Sequence, residues 1–192
     1  MKLVGVAGRA GAGKDTVADY LVKEYGFERY GFADPIKHGL CAAFGLMPFD
    51  FADRERKEQS ISRIGGKSPR QLAQWFGTEF GRNMICEDIW IRMAQFHYES
   101  LVDMVRDTFG KAPVGMVVPD VRFPNEAEWV RRNGGVVWHV VRPDIKPVSA
   151  HVSEAGVAFA GGDRWVHNYG TIAELHKCID GLMLENIAED GC

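Results

Sequence analysis

The strongest chemical signal in the chain lies near its N-terminus. Gly8-Arg9-Ala10-Gly11-Ala12-Gly13-Lys14-Asp15-Thr16 has the spacing G-x-x-x-x-G-K. In such a loop glycines let successive backbone N–H groups curl round a phosphate, and the lysine reaches the outer phosphates of a nucleotide. The loop follows a short apolar run, Lys2 to Ala7. It precedes an amphipathic one, Lys14 to Tyr25, with Val17, Ala18, Leu21, Val22 and Tyr25 on one helical face and Gly26 as the stop. A buried strand, a glycine loop and a helix in that order make a phosphate site, because the helix N-terminus adds partial positive charge. A Gly-rich turn with a surface lysine is the bland alternative. One position departs from the common pattern: where Ser or Thr usually ligates Mg²⁺ stands Asp15, and the hydroxyl follows at Thr16.

A second cluster is Val117-Val118-Pro119-Asp120-Val121-Arg122-Phe123-Pro124, an acid and an arginine at the end of a buried strand. Open α/β sheets bind ligands at such strand ends. Asp120 there can hold the water shell of a magnesium ion and Arg122 can clamp a phosphate, or Asp120 can simply cap backbone N–H groups. Asp34, Pro35 and Lys37 follow the second strand. Asp34 reads either as an N-cap or as a site residue, and Lys37 as a cation that could face an acceptor phosphate. Ser68 and Pro69 open another helix and leave Arg70 in its first turn. A cation opposes the helix dipole there, so Arg70 either points at an anion or is solvated. Trp75 and Trp90 read as core, or as rings that stack on a base. Asn168 can bond an adenine edge or merely supply a turn before Gly170. His151 and Glu154 lie in an aperiodic stretch.

These residues need a scaffold, and the hydrophobic pattern supplies one. Strands are expected at Lys2 to Ala7, Phe27 to Phe32, Val114 to Pro119, Val136 to Val141 and Trp165 to Asn168. Helices are expected at Lys14 to Tyr25, Pro35 to Phe44, Pro69 to Met84, Asp88 to Phe109 and Asn125 to Arg132, with a last one carrying Ile172, Leu175, Ile179, Leu182, Met183 and Ile187. In the fourth of these, Trp90, Met93, Ala94, Leu101, Met104 and Val105 form the expected buried stripe. Strands alternating with helices argue an α/β fold, a five-stranded parallel sheet with helices on both faces. One domain over residues 1–192 is expected. Pro48 to Gly66 and Pro143 to Arg164 are longer than ordinary loops and read as mobile segments.

Composition narrows the classes. With 192 residues, 46% hydrophobic and 26% charged, the chain is an ordinary globular one. Its longest stretch without Asp, Glu, Lys or Arg runs only from His38 to Phe49, well short of the ~20 apolar residues of a membrane span. The N-terminus does not read as a signal peptide, so a cytoplasmic location is expected. Cys41, Cys86, Cys178 and Cys192 stand singly, without zinc-ligand spacing. A net charge of −3 gives no global field for a nucleic-acid polymer, which leaves small anionic ligands.

Taken in order, Gly-Lys-Asp-Thr, Phe-Ala-Asp-Pro-Ile-Lys, Leu-Ala-Gln-Trp-Phe-Gly-Thr-Glu, Val-Val-Pro-Asp-Val-Arg, His-Val-Val-Arg-Pro, His-Val-Ser-Glu-Ala-Gly and Asn-Tyr-Gly-Thr-Ile resemble the deoxynucleoside monophosphate kinases of tailed bacteriophages. The resemblance runs from Lys2 to about Leu182. It implies an adenylate-kinase-like P-loop kinase fold with a monophosphate-binding region near 48–66 and a lid near 143–164. It also implies transfer of the ATP γ-phosphoryl group to a (deoxy)nucleoside 5′-monophosphate, with Mg²⁺, in the host cytoplasm if the gene is a phage's. On this reading Gly11, Ala12, Gly13, Lys14, Asp15, Thr16 and Asn168 bind the cofactor. Asp34, Lys37, Arg70, Trp90, Arg122, Arg142 and Glu154 bind substrate. Lys14, Asp120 and Arg122 are catalytic, and Asp120 or Asp15 holds magnesium through water. Partners are small nucleotides, with neither a nucleic-acid polymer nor a membrane, and a homodimer is left open. The competing readings are a kinase of another small phosphorylated acceptor, of dephospho-coenzyme or phospho-isoprenoid type, and a non-catalytic nucleotide switch. Against the switch, no Asn-Lys-x-Asp motif is present.

Overall fold

The computed structural model describes residues 1–107, 112–143 and 156–189. His151, Glu154 and most of the segment expected at 143–164 lie outside the described residues. The chain divides into two compact units, Met1–Gly31 with Tyr98–Cys192, and Phe32–His97.

The first unit holds the sheet. Strands β1 (Lys2–Ala7), β2 (Phe27–Arg29), β3 (Gly115–Val121), β4 (Val136–Val141) and β5 (Arg164–His167) lie in the order β2-β3-β1-β4-β5, all parallel. Beyond Lys2, β1 is buried throughout because both of its faces are covered, so it reads as a continuous apolar run rather than an alternating one. On one face Val4, Val6, Val117, Trp138 and Val166 pack with Val17, Ala18 and Leu21 of α1 (Lys14–Tyr25) and Leu175, Ile179 and Met183 of the last helix, Ile172–Glu189. On the other, α6 (Pro124–Arg132) presses so close that a Cβ on Gly5 would stand 2.9 Å from Val130. The last helix is also tied to α1 by polar contacts: the hydroxyls of Tyr20 and Tyr25 both donate to Asp180, at 3.0 and 2.6 Å. Burial and that carboxylate push the Tyr25 phenol up to about 12.

The second unit is helical. It contains α2 (Asp34–Phe44), α3 (Pro48–Ala52), 3₁₀ turns at Arg56–Glu58 and Ser62–Ile64, and α4 (Pro69–Gln74). A π-helical stretch, Trp75–Ile85, continues α4. Helix α5 (Ile89–Asp107) contributes residues to each unit, and the last helix is therefore α7. No described helix is long and apolar enough to cross a membrane.

Several elements differ from their sequence reading. Strand β2 ends at Arg29, three residues early, where the chain turns into α2. The segment 48–66 is not irregular: besides α3 and the two 3₁₀ turns it carries a bridge between Ile61 and Lys67, closed by Ser60 Oγ donating to Gly66 O at 2.6 Å. The expected single helix over 69–84 changes to π geometry at Trp75. Gly77 and Gly81 permit it, since a Cβ on Gly81 would meet the Trp90 ring at 2.4 Å, and the Trp90 Nε1 donates to Gly77 O at 2.7 Å. Trp75, read as core, is 44% exposed, with Lys67 Nζ 5.4 Å from its ring centroid. Met93 and Met104 of the expected α5 stripe and Ile172 of α7 are also exposed, because each helix buries a narrower face than its apolar residues span.

Candidate functional site

The loop between β1 and α1 folds as its glycines dictate. Gly8, Gly11 and Gly13 all have positive φ, at 143, 80 and 103°. At Gly8 a side chain is also excluded by space, since a Cβ would lie 2.6 Å from Val140 O. Helix α1 starts at Lys14 with no side-chain cap, which leaves its N-terminus facing the loop as an anion would require. Lys14 Nζ donates to Gly8 O at 2.8 Å and Arg9 O at 3.0 Å, so the ammonium already lies across the loop.

A cavity of about 430 Å³ opens from this loop. Gly11, Gly13, Lys14, Asp15 and Thr16 form its polar end, Ile172 and Leu175 are its apolar lining, and Arg142, Asn168 and Gly170 complete the wall. A polar cradle continuous with an apolar wall suits a phosphate chain joined to a base. Asn168 is anchored from two sides: its N–H donates to Val141 O at 2.9 Å and its Nδ2 to Ala12 O at 2.8 Å.

Sheet register brings the second cluster to the same end. Ala7 pairs with Val121, so the end of β3 lies beside the start of the loop. From the pair Gly5–Val118 to the pair Ala7–Val121, β3 advances one residue more than β1. The extra residue is a bulge at Pro119–Asp120, which accommodates a proline with no N–H to give and re-aims the acid that follows. Asp120 is half-buried. Glu126 caps backbone N–H groups at this turn: its carboxylate, buried at 3% exposure, accepts from the N–H of Arg122 at 2.8 Å and of Phe123 at 3.0 Å. Glu126 thereby fixes the backbone that carries Arg122. A Glu two residues after a proline that opens a helix was the signal.

Asp15 is paired. Arg29, at the end of β2, reaches Asp15 and Asp19 with its two terminal nitrogens, each at 2.5 Å. Among the described residues no three His, Cys, Asp or Glu side chains converge as a metal cage. The Thr16 hydroxyl at the loop and the half-buried Asp120 carboxylate are oxygen donors of the kind magnesium takes alongside its own waters.

In the second unit, Asp34 is not the N-cap. Helix α2 begins at Asp34 after Ala33, and Lys37 Nζ donates to the Asp34 carboxylate at 2.9 Å. Ser68 is the N-cap of α4, in a reciprocal cap with Gln71. Arg70 Nε lies 2.7 Å from Glu58 of the first 3₁₀ turn, so the unfavourable dipole position is offset by an acid that spacing alone did not reveal. Trp90 is buried, and its ring supports Gly77 and Gly81.

A network outside the expected set holds the chain ahead of β5. Asp163, only 4% exposed, accepts from Arg131 Nε at 3.1 Å and Nη2 at 2.6 Å and from the Ala160 N–H at 2.9 Å, and it contacts His139 Nε2 at 2.9 Å. Burial alone would raise its carboxyl, but these hydrogen bonds outweigh it and hold the group below the usual carboxylate range.

A family model described as deoxynucleotide monophosphate kinase matches residues 2–60 and 46–179. A protein of Acanthamoeba polyphaga mimivirus named as a putative deoxynucleotide monophosphate kinase is 32% identical over 196 aligned positions, covering 97% of this chain and all of the relative. The deoxynucleotide monophosphate kinase of Enterobacteria phage T4 is 26% identical over 245 positions, covering 95% and 99%. Among solved structures, an unliganded sugar kinase from Janibacter sp. HTCC2649 aligns over 98% of this chain and 96% of its own, at 14% identity and a TM-score of 0.49.

Proposed function

The chain belongs to the deoxynucleotide monophosphate kinase family, and on that premise we propose that it transfers the γ-phosphoryl group of ATP to the 5′-phosphate of a deoxynucleoside monophosphate, giving ADP and the diphosphate. The observation that carries the donor half of this reading is the cavity of the first unit, with the phosphate loop at its polar end and Ile172 and Leu175 along its apolar wall.

Such a transfer asks for positioning and charge neutralisation, because the acceptor phosphate is itself an anionic nucleophile and no general base is needed. Gly11, Ala12, Gly13 and Thr16 cradle the phosphates with backbone N–H groups and a hydroxyl. Lys14 leaves its carbonyl partners for the β/γ-oxygens. Arg142, on the cavity wall, supplies a further cation to the phosphate chain. Arg122, on the backbone fixed by Glu126, meets the group in flight. Asp34, Lys37 and Arg70 are the acceptor's residues. Thr16 and Asp120 would take the water shell of a magnesium ion, and the ion would neutralise charge on the phosphate oxygens. Asp15, held by Arg29, is the weaker candidate for that shell.

The test follows the label. With γ-³²P-ATP and each of the common deoxynucleoside monophosphates in turn, the label should appear in a deoxynucleoside diphosphate. Label released only as inorganic phosphate, with every acceptor, would make the protein an ATPase and overturn the reading.

A further inference from the structure

Three carbonyls of the phosphate loop are bonded by side chains, and they are bonded in two different ways. Gly8 O and Arg9 O accept from Lys14 Nζ, at 2.8 and 3.0 Å. Ala12 O accepts from Asn168 Nδ2 at 2.8 Å, across a sequence separation of 156 residues. The first two contacts take two of the ammonium's three donors, so Lys14 must release at least one of them to bind two phosphate oxygens. The third has no such conflict. A side-chain amide that remains on Ala12 O holds the loop while Lys14 changes partners.

The surroundings of Asn168 favour a fixed role over a reading one. Its own N–H is tied to Val141 O at the end of β4, so the residue is anchored to the sheet. Its amide nitrogen fills the space beside Gly13: a Cβ there would approach it to 2.6 Å. Ala12 is itself buried, at 1% exposure, so its carbonyl has little access to water to replace a lost partner. Gly13, with φ of 103°, joins the loop to the N-terminus of α1.

We propose that Asn168 is a positioning residue of the phosphate loop, a latch from the β5–α7 connection that keeps the N–H cradle of Gly11 to Lys14 in its anion-binding form, and not a reader of the donor's base. The proposal rests on the reading of that loop as the donor triphosphate site. It separates phosphate binding from base recognition. The side chain expected at the adenine acts instead on the phosphate end of the nucleotide.

The experiment uses the whole chain and two probes, ATP and inorganic tripolyphosphate, which has no base. Asn168→Ala should weaken both by the same factor, about fivefold, the change that one net hydrogen bond of ordinary strength corresponds to. The ratio of ATP to GTP affinity should not move. Asn168→Asp keeps the size of the side chain but sets a carboxylate against Ala12 O and near the phosphates, so it should weaken both probes by more than tenfold. This second variant also decides the matter if the alanine variant does not fold. Weaker ATP with unchanged tripolyphosphate, or a shifted ATP-to-GTP ratio, would make Asn168 a base reader and overturn the proposal. Unchanged affinity for both probes would overturn it as well. Lys14→Ala, measured alongside, separates the two levels: if it leaves tripolyphosphate binding intact, the loop is not the triphosphate site and the underlying reading fails, whatever Asn168 does.

Discussion

The two halves of the proposed chemistry are prepared in different ways. In the first unit two carbonyls of the loop's own backbone, Gly8 O and Arg9 O, hold the Lys14 ammonium across the loop. In the second unit the expected acceptor cations already sit on carboxylates, Lys37 on Asp34 and Arg70 on Glu58. A phosphate arriving there exchanges one anion for another. The donor's contacts act on the phosphates that react and are the larger lever on rate, while the acceptor's, which exchange one anion for another, are the more sensitive to salt.

Removing the lever should have the largest effect. Lys14→Ala should cut kcat by about a hundredfold or more while circular dichroism and Tm stay close to wild type, since its ammonium is used on phosphate oxygens. A variant keeping more than about a tenth of kcat would place the catalytic charge elsewhere. Next comes the scaffold of the donor half. Asp163→Asn breaks a buried ion pair and should cost about 3 kcal/mol of stability, read from urea unfolding. The sign of its pH dependence follows from its depressed pKa. The contribution is full above the unfolded value of about 3.9 and is lost as pH falls below that, through the lower folded value. The wild type should therefore lose stability on that acid limb, and the variant should lack this share of the loss.

The acceptor half predicts smaller and more selective changes. Arg70→Ala should raise the acceptor KM by about tenfold and leave the ATP KM within about twofold. Equal effects on both would mean that Arg70 supports the fold of the second unit and not the acceptor. Glu58→Gln tests the swap directly: with its carboxylate gone, Arg70 meets the acceptor uncompensated, and the acceptor KM should fall about two- to fivefold at low ionic strength, less in salt. A rise would show that Glu58 orients Arg70 instead. Asp120→Asn should shift the magnesium dependence of the rate more than Asp15→Asn, since Asp120 stands at the strand end beside the phosphate loop; the reverse ranking would make Asp15 the metal residue.

The same contrast explains what the sequence could reveal. The phosphate loop is local: strand, glycines, lysine and helix follow one another, and each glycine has a backbone reason to be there, so residues 2–25 read correctly from order and spacing alone. Ser68 as a helix cap is legible for the same reason. The parallel sheet is legible too, because its inner strands β1, β3 and β4, covered on both faces, leave continuous apolar runs. What stayed hidden are pairings across distance. Arg29 to Asp15 and Asp19, Arg70 to Glu58, Asn168 to Ala12, and Asp163 to Arg131 and His139 join residues with no periodic relation. The π-helical turn at Trp75 was hidden for another reason. Its apolar pattern is compatible with an α-helix, and only the Trp90 ring packed on Gly77 and Gly81 shows why the chain widens there.

The central claim is that the donor loop serves a phosphorylated acceptor. It is tested most directly by ADP release from ATP, measured with no acceptor, with a deoxynucleoside 5′-monophosphate, and with the same nucleoside lacking its phosphate. Rapid ADP release should appear with the monophosphate alone, matched mole for mole by diphosphate. ADP release at the same rate without an acceptor, or with the unphosphorylated nucleoside, would contradict the claim.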